Sequence, residues 1–173
     1  MKATIKYLIL TIKHKWFVLL AGMKLGVPIW RLLLHDMSKF YPSELPHYGR
    51  QFFGKADNPK GFIHCWLKHQ NRNKHHWEFW IPRTGHNRCT PPYKDNEPIP
   101  MPNVYIKEMV ADWMGASRAY EGVWTTQGRR WPWLENNFDK IRLHPETRRK
   151  VTHILVDNGF MPEDETWLNE NQD

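Results

Sequence analysis

Apolar side chains recur at three- and four-residue spacings along most of the chain, a period that predicts helices separated by short breaks. Over 3–21, Tyr7, Leu10, His14, Phe17, Val18 and Ala21 fall on one face, which predicts an amphipathic helix buried along that face. Gly22 and Gly26 loosen the chain, and Pro28 suits the first position of a second helix running from Ile29 to about Phe40. Tyr41-Pro42-Ser43-Glu44 reads as a turn opening a short helix through Tyr48 to Phe53. Asn58 is placed as N-cap, and Pro59 as first residue, of a helix through Phe62, Cys65, Trp66 and His69. Asn103 can cap a helix from Val104 to Tyr120 that Gly122 stops; its Ala111, Gly115 and Ala119 form a stripe that lets another helix approach. An aromatic segment (Trp131, Trp133, Phe138) follows Gln127-Gly128, and a last helix opens at Pro145-Glu146 and closes near Gly159. No strand period and no internal repeat is present. The expected class is all-α, a compact single-domain helical bundle over 1–173.

Two stretches lack the period. Residues 81–102 hold six prolines (Pro82, Pro91, Pro92, Pro98, Pro100, Pro102), and a connection of that length is expected to be a lid over the pocket or a self-association element. The acidic end, 160–173, reads as a frayed tail. A chain of 173 residues buries a core without disulfides or a structural metal. Cys65 and Cys89 form neither a CxxC pair nor a framework, so both read as packing residues in a reducing cytoplasm. Lys2, Lys6, Lys13, His14 and Lys15 interrupt the apolar N-terminus, and no small-residue cleavage site follows it. Neither a signal peptide nor a membrane anchor is expected, and no membrane partner.

Charge changes the picture more than composition does. The net charge is +7, but residues 1–94 hold 16 Lys/Arg against four acids, a net of +12, and residues 95–173 hold 9 against 14, a net of −5. A basic half favours phosphate-bearing ligands, although many of its lysines read as solvated helix backs. That half contains Leu34-His35-Asp36-Met37-Ser38-Lys39, a His-Asp pair ending an apolar run. Such a dipeptide is expected about 0.5 times by chance, so its company decides. The residues that can turn inward with it are His14, between Leu10 and Val18; His69; His75 or His76; and Asp112, among Met109, Trp113 and Ala116. A lone core histidine is usually structural, but a carboxylate facing a core is costly unless paired or bound to metal.

That order, a His on the first helix, His-Asp on the second, further His residues and then an Asp on a late helix, resembles the HD-domain superfamily of metal-dependent phosphohydrolases. The stretches His35 to Phe40, His69 to Glu78, Met109 to Trp113 and Ile141-Arg142-Leu143-His144-Pro145-Glu146-Thr147 are similar to an uncharacterised family of phage and bacterial HD-like proteins. The resemblance implies a bundle of the HD-domain type, with His14, His35, Asp36 and Asp112 holding one divalent ion (Mn, Fe, Co, Ni, Zn or Mg). It makes Lys39 a phosphate contact. A second ion would use His69 and either His75 or His76. In the superfamily those two histidines usually lie tens of residues apart, so one ion is the expectation and two the alternative. A continuing helix would put His76 about 20° from His69 and favour it, whereas a break at Asn71-Arg72-Asn73 leaves His75 equal.

The implied chemistry is hydrolysis of a nucleotide or other small phosphoester by a metal-activated water. Asp36 or Asp112 would orient the water, while Lys39, Arg72 and Lys74 would offset phosphate charge, with Asn73 a further substrate contact. Glu44 would support a ligand histidine or shuttle a proton; as a helix-start acid it has an ordinary alternative. Trp66, Trp77, Trp80 and Trp113 could stack bases, although packing is the commoner use. Two other readings stay open: a di-iron oxygenase on the same scaffold, and a non-enzymatic basic module binding nucleic acid or a partner protein. Self-association is compatible with all three.

Overall fold

The periodic segments fold as α1 (Lys2–Lys24), α2 (Ile29–Leu34), α3 (Leu45–Phe53), α4 (Pro59–Arg72), α5 (Asn103–Ala116), α6 (Pro132–Asn137) and α7 (Pro145–Asp157). The computed structural model describes residues 2–85, 89–122, 124 and 131–160; Gln127-Gly128 and the tail from 161 lie outside the described residues. The described residues contain no strand, and they form one compact all-helical bundle.

α1 is the central strut, lying against α5, α3 and α2. It buries Tyr7, Thr11, His14, Val18 and Ala21, the face that its period predicts. Gly115 of α5 permits the closest contact: a Cβ there would stand 2.7 Å from the Val18 nitrogen of α1. A Cβ on Gly49 of α3 would likewise meet the Thr4 backbone at 2.7 Å. The core proper, with Val18, Leu32, Ile106, Val110, Trp131, Phe138 and Val151, fills the space between α1, α5 and α7. A smaller cluster of Tyr7, Tyr48 and Cys65 joins α1, α3 and α4.

Several boundaries differ from expectation. The second helix stops at Leu34 rather than Phe40, because His35 is extended and Asp36 adopts a left-handed conformation (φ 54°) before a 3₁₀ turn over Met37–Phe40. Lys15 explains part of this break: its ammonium donates to the carbonyls of Leu33 and His35, which the ended helix leaves unpaired. Asn103 is the first helical residue and does not cap, Pro102 preceding it. α5 gives way after Ala116 to a π-helical turn, Ser117–Glu121, closed by Gly122 at φ 73°. Asn58 does cap α4, its side chain accepting from the Gly61 nitrogen at 3.0 Å. The described parts of 81–102 are pinned at both ends, with Pro82 O accepting from the Asn96 nitrogen at one and the Met101 nitrogen donating to Thr147 Oγ1 of α7 at the other. No helix among the described residues is long and apolar enough to cross a membrane.

Candidate metal centre

Ending α2 at Leu34 turns Asp36 into the bundle, where it is fully buried. The 3₁₀ turn then brings Lys39 back onto it, Nζ lying 2.6 Å from Asp36 Oδ2. The two carboxylate oxygens face different groups. His14 Nε2 of α1 and His35 Nε2 approach Oδ2 at 3.5 and 3.6 Å, and both meet Asp112 Oδ1 of α5, at 3.0 and 3.2 Å. His69 Nε2 of α4 and His75 Nε2 approach Oδ1 at 3.2 and 3.4 Å. Two donor sets compact enough for an ion meet on Asp36, His14-His35-Asp36-Asp112 and Asp36-His69-His75-His76, and a third, His35-His75-Glu108, lies beside them without Asp36.

Further carboxylates stand behind the imidazoles. His69 Nδ1 lies 3.1 Å from Glu44 Oε2, which also accepts from Ser38 Oγ at 3.1 Å. His35 Nδ1 and His75 Nδ1 lie 3.2 and 3.5 Å from the same atom, Glu108 Oε1. Arg31 fixes Glu108 through Oε2, its Nη2 at 2.6 Å and Nε at 3.1 Å. With the Nδ1 protons of His35, His69 and His75 directed to carboxylates, the Nε2 lone pairs of these three point at the oxygens of Asp36 or Asp112. Lone pairs facing lone pairs repel unless a cation or a proton stands between them. The Nε2 atoms of His14, His69, His75 and His76 and Asp36 Oδ1 are buried and lack a hydrogen-bond partner. Those orphaned donors, all nitrogen and oxygen, fit a divalent cation.

The same crowding sets the ionisation of the metal-free cluster. Burial alone would lower His14 and His35, but the carboxylates around them prevail and raise both above the ordinary histidine range. His75 is raised against burial and the charge of His35, through Asp36 and Glu108. Burial, His75 and His69 together hold His76 well below that range. Burial opposes the ionisation of Asp36 and Asp112; Lys39, His35 and His69 overcome it at Asp36, His14 and His35 at Asp112, and both stay well below the usual carboxylate range. Lys39 is raised despite burial, chiefly by Asp36, and so remains an ammonium.

Asp112, His14, His75, His76 and Lys39 border a cavity of about 390 Å³ whose other walls are largely aromatic, including Trp66, Trp77, Trp113, Trp133 and Tyr120. Tyr120, on the π-helical turn, stacks on His14 with ring centroids 5.9 Å apart. Lys140 also lines this cavity, and no described residue of 81–102 does. Arg72, Asn73 and Lys74 line a second cavity of about 220 Å³ with Arg31, reached from the far side of His35 and His75. Arg72 reaches Glu44 at 3.5 Å, and Asn73 Nδ2 donates to the His69 carbonyl at 2.9 Å. The structure thus gathers His14, His35, Asp36, Lys39, His69, His75, His76 and Asp112, with Glu44 directly behind; Arg72 and Asn73 touch the outer side of the cluster at Glu44 and the His69 ring, and Lys74 lines the second cavity. α4 ends at Arg72, so His75 and His76 both reach the cluster and the helical-angle argument for His76 alone does not apply. Glu108 went unforeseen. It lies four residues before Asp112, on the same face of α5, and two acids so spaced on a buried helix face were the available signal.

No curated protein and no solved structure matches the chain. A family model described as a family of unknown function (DUF5662) matches residues 4–157, nearly the whole described chain, and the chain belongs to that family.

Proposed function

We propose that the protein is a metal-dependent phosphohydrolase acting on a nucleotide or other small phosphoester, as its resemblance to HD-domain proteins implies. The observation that carries this reading is the convergence of two imidazole-carboxylate sets on the two oxygens of Asp36, at the edge of a cavity sized for a small molecule. A divalent cation bound there supplies a Lewis acid that polarises a phosphoryl oxygen and acidifies a coordinated water. The protein's own groups do the rest. Lys39 keeps its positive charge in the metal-free cluster and is placed to offset charge on the phosphoryl group. Asp112 reaches the cavity and accepts a hydrogen bond from the attacking water, fixing its direction. Glu44 and Glu108 hold the histidines in the tautomer that offers Nε2. The aromatic walls grip the remainder of the substrate and exclude solvent.

The test is turnover of nucleotide and model phosphoester panels by purified protein supplied with Mn, Co, Ni, Mg, Fe or Zn. Metal-dependent hydrolysis that His35→Ala abolishes is expected; no turnover with any ion on any panel overturns the reading. The second donor set, His69-His75-His76 with Asp36, also favours a specific alternative, a two-iron site for oxygen chemistry. Iron retained through aerobic purification at about two per chain, with no hydrolysis, selects that alternative.

A further inference from the structure

α1 is apolar on two sides, and the bundle covers one. Opposite its buried face, Ile5, Ile9, Ile12, Trp16 and Met23 lie within about 60° of one another around the helix and are all exposed, Ile12 at 54% and Trp16 at 56%. A helix that is apolar all round is ordinarily buried. α2 extends this surface: Ile29, Trp30, Leu33 and Leu34 are exposed, Leu34 at 63%. The two helices adjoin, since Lys15 bonds the Leu33 carbonyl and Leu32 packs on Gly22. An exposed apolar surface shared by two helices marks an interaction site.

The flanking charge identifies the occupant. Lys2, Lys6, Lys13 and Lys24 run along one flank of the α1 stripe, about 60–100° from its centre. Residues 1–35 contain no Asp or Glu, and the first acid, Asp36, is buried. Two copies meeting across this face would bring lysine rows of one sign together, which opposes self-association. An interface of anionic lipid headgroups over acyl chains satisfies both features: Ile and Trp side chains enter the acyl boundary while lysines reach up to the headgroups. We propose that the outer face of α1 and α2 is a docking surface for an anionic lipid membrane, on which the protein lies without spanning it. The expectation of no membrane partner rested on the interrupted apolar run, and interrupting lysines are what a helix lying in the interface requires. This inference is independent of the metal centre.

Co-sedimentation of the full chain with vesicles tests it, using phosphatidylcholine alone and phosphatidylcholine with about 30 mol% phosphatidylglycerol. Binding to the anionic vesicles is expected, at least about tenfold weaker on neutral ones and reduced by high salt. Ile12→Ser with Trp16→Ser should weaken it about tenfold or more without changing the helical circular dichroism, since both side chains are exposed. Lys6→Glu with Lys13→Glu should erase the preference for anionic lipid. Wild-type chain that stays in the supernatant with anionic vesicles overturns the proposal. So does a dimer, seen by light scattering, that the Ile12/Trp16 variant dissociates while vesicle binding is unchanged.

Discussion

A histidine offers one ring nitrogen to a cation reliably only when a partner holds the proton on the other. Glu108 does this for two histidines at once, one in each donor set, and Arg31 holds Glu108 in place. Glu108→Gln keeps the shape but removes the charge that fixes both Nδ1 protons. Metal affinity should fall about 10–100-fold at both sets together, read by competition titration with a metal-binding dye. Glu44→Gln, at a carboxylate that pairs with His69 and with no histidine of the first set, should weaken the second set and spare the first; equal loss from both variants would count against these roles. His35, Asp36 and Lys39 were legible as a short motif and Asp112 as a costly acid on an apolar face. Glu108 was not, because one more charge on a helix reads as a solvated one until the neighbouring helices are placed.

The decisive element is the end of α2. Helical segments were readable because burial of one face leaves a period in the sequence, as Tyr7, His14 and Val18 do on α1. The break at His35-Asp36 leaves none: the left-handed Asp36 is held by Lys39 and by His14, His69 and His75, while Lys15 ties the His35 carbonyl, and most of these partners come from distant parts of the chain. A left-handed non-glycine costs about 1–2 kcal/mol, so these contacts must outweigh it. The small-residue stripe was readable, and Gly115 carries its consequence. Gly115→Ala would drive a Cβ against the Val18 backbone, one turn from His14. The expected destabilisation is about 1–3 kcal/mol, a fall of about 2–12 °C in melting temperature by calorimetry. An unchanged melting temperature would mean that α1 and α5 are not locked together there.

Across the whole molecule, the centre binds helices that are distant in sequence: α1, the end of α2, α4 and its following loop, and α5 all converge on Asp36. In the metal-free protein, protons on His14, His35 and His75 take part of the cation's role. Their raised values stabilise the fold fully below the unfolded histidine value of about 6.5, and this contribution is lost as pH rises through the folded values. A bound metal replaces those protons, so affinity must rise with pH as the metal-free fold loses their support. Asp36→Asn removes the one ligand common to both sets and leaves Lys39 without its anion. The most direct measurement is therefore a metal titration of metal-free protein at pH 6.0 and pH 8.0, wild type beside Asp36→Asn, with circular dichroism confirming the fold. The structure predicts one to two equivalents bound by the wild type, at least about tenfold tighter at the higher pH, and none by the variant. Equal binding by the two proteins, or none by a folded wild type with any divalent ion, would contradict the metal centre.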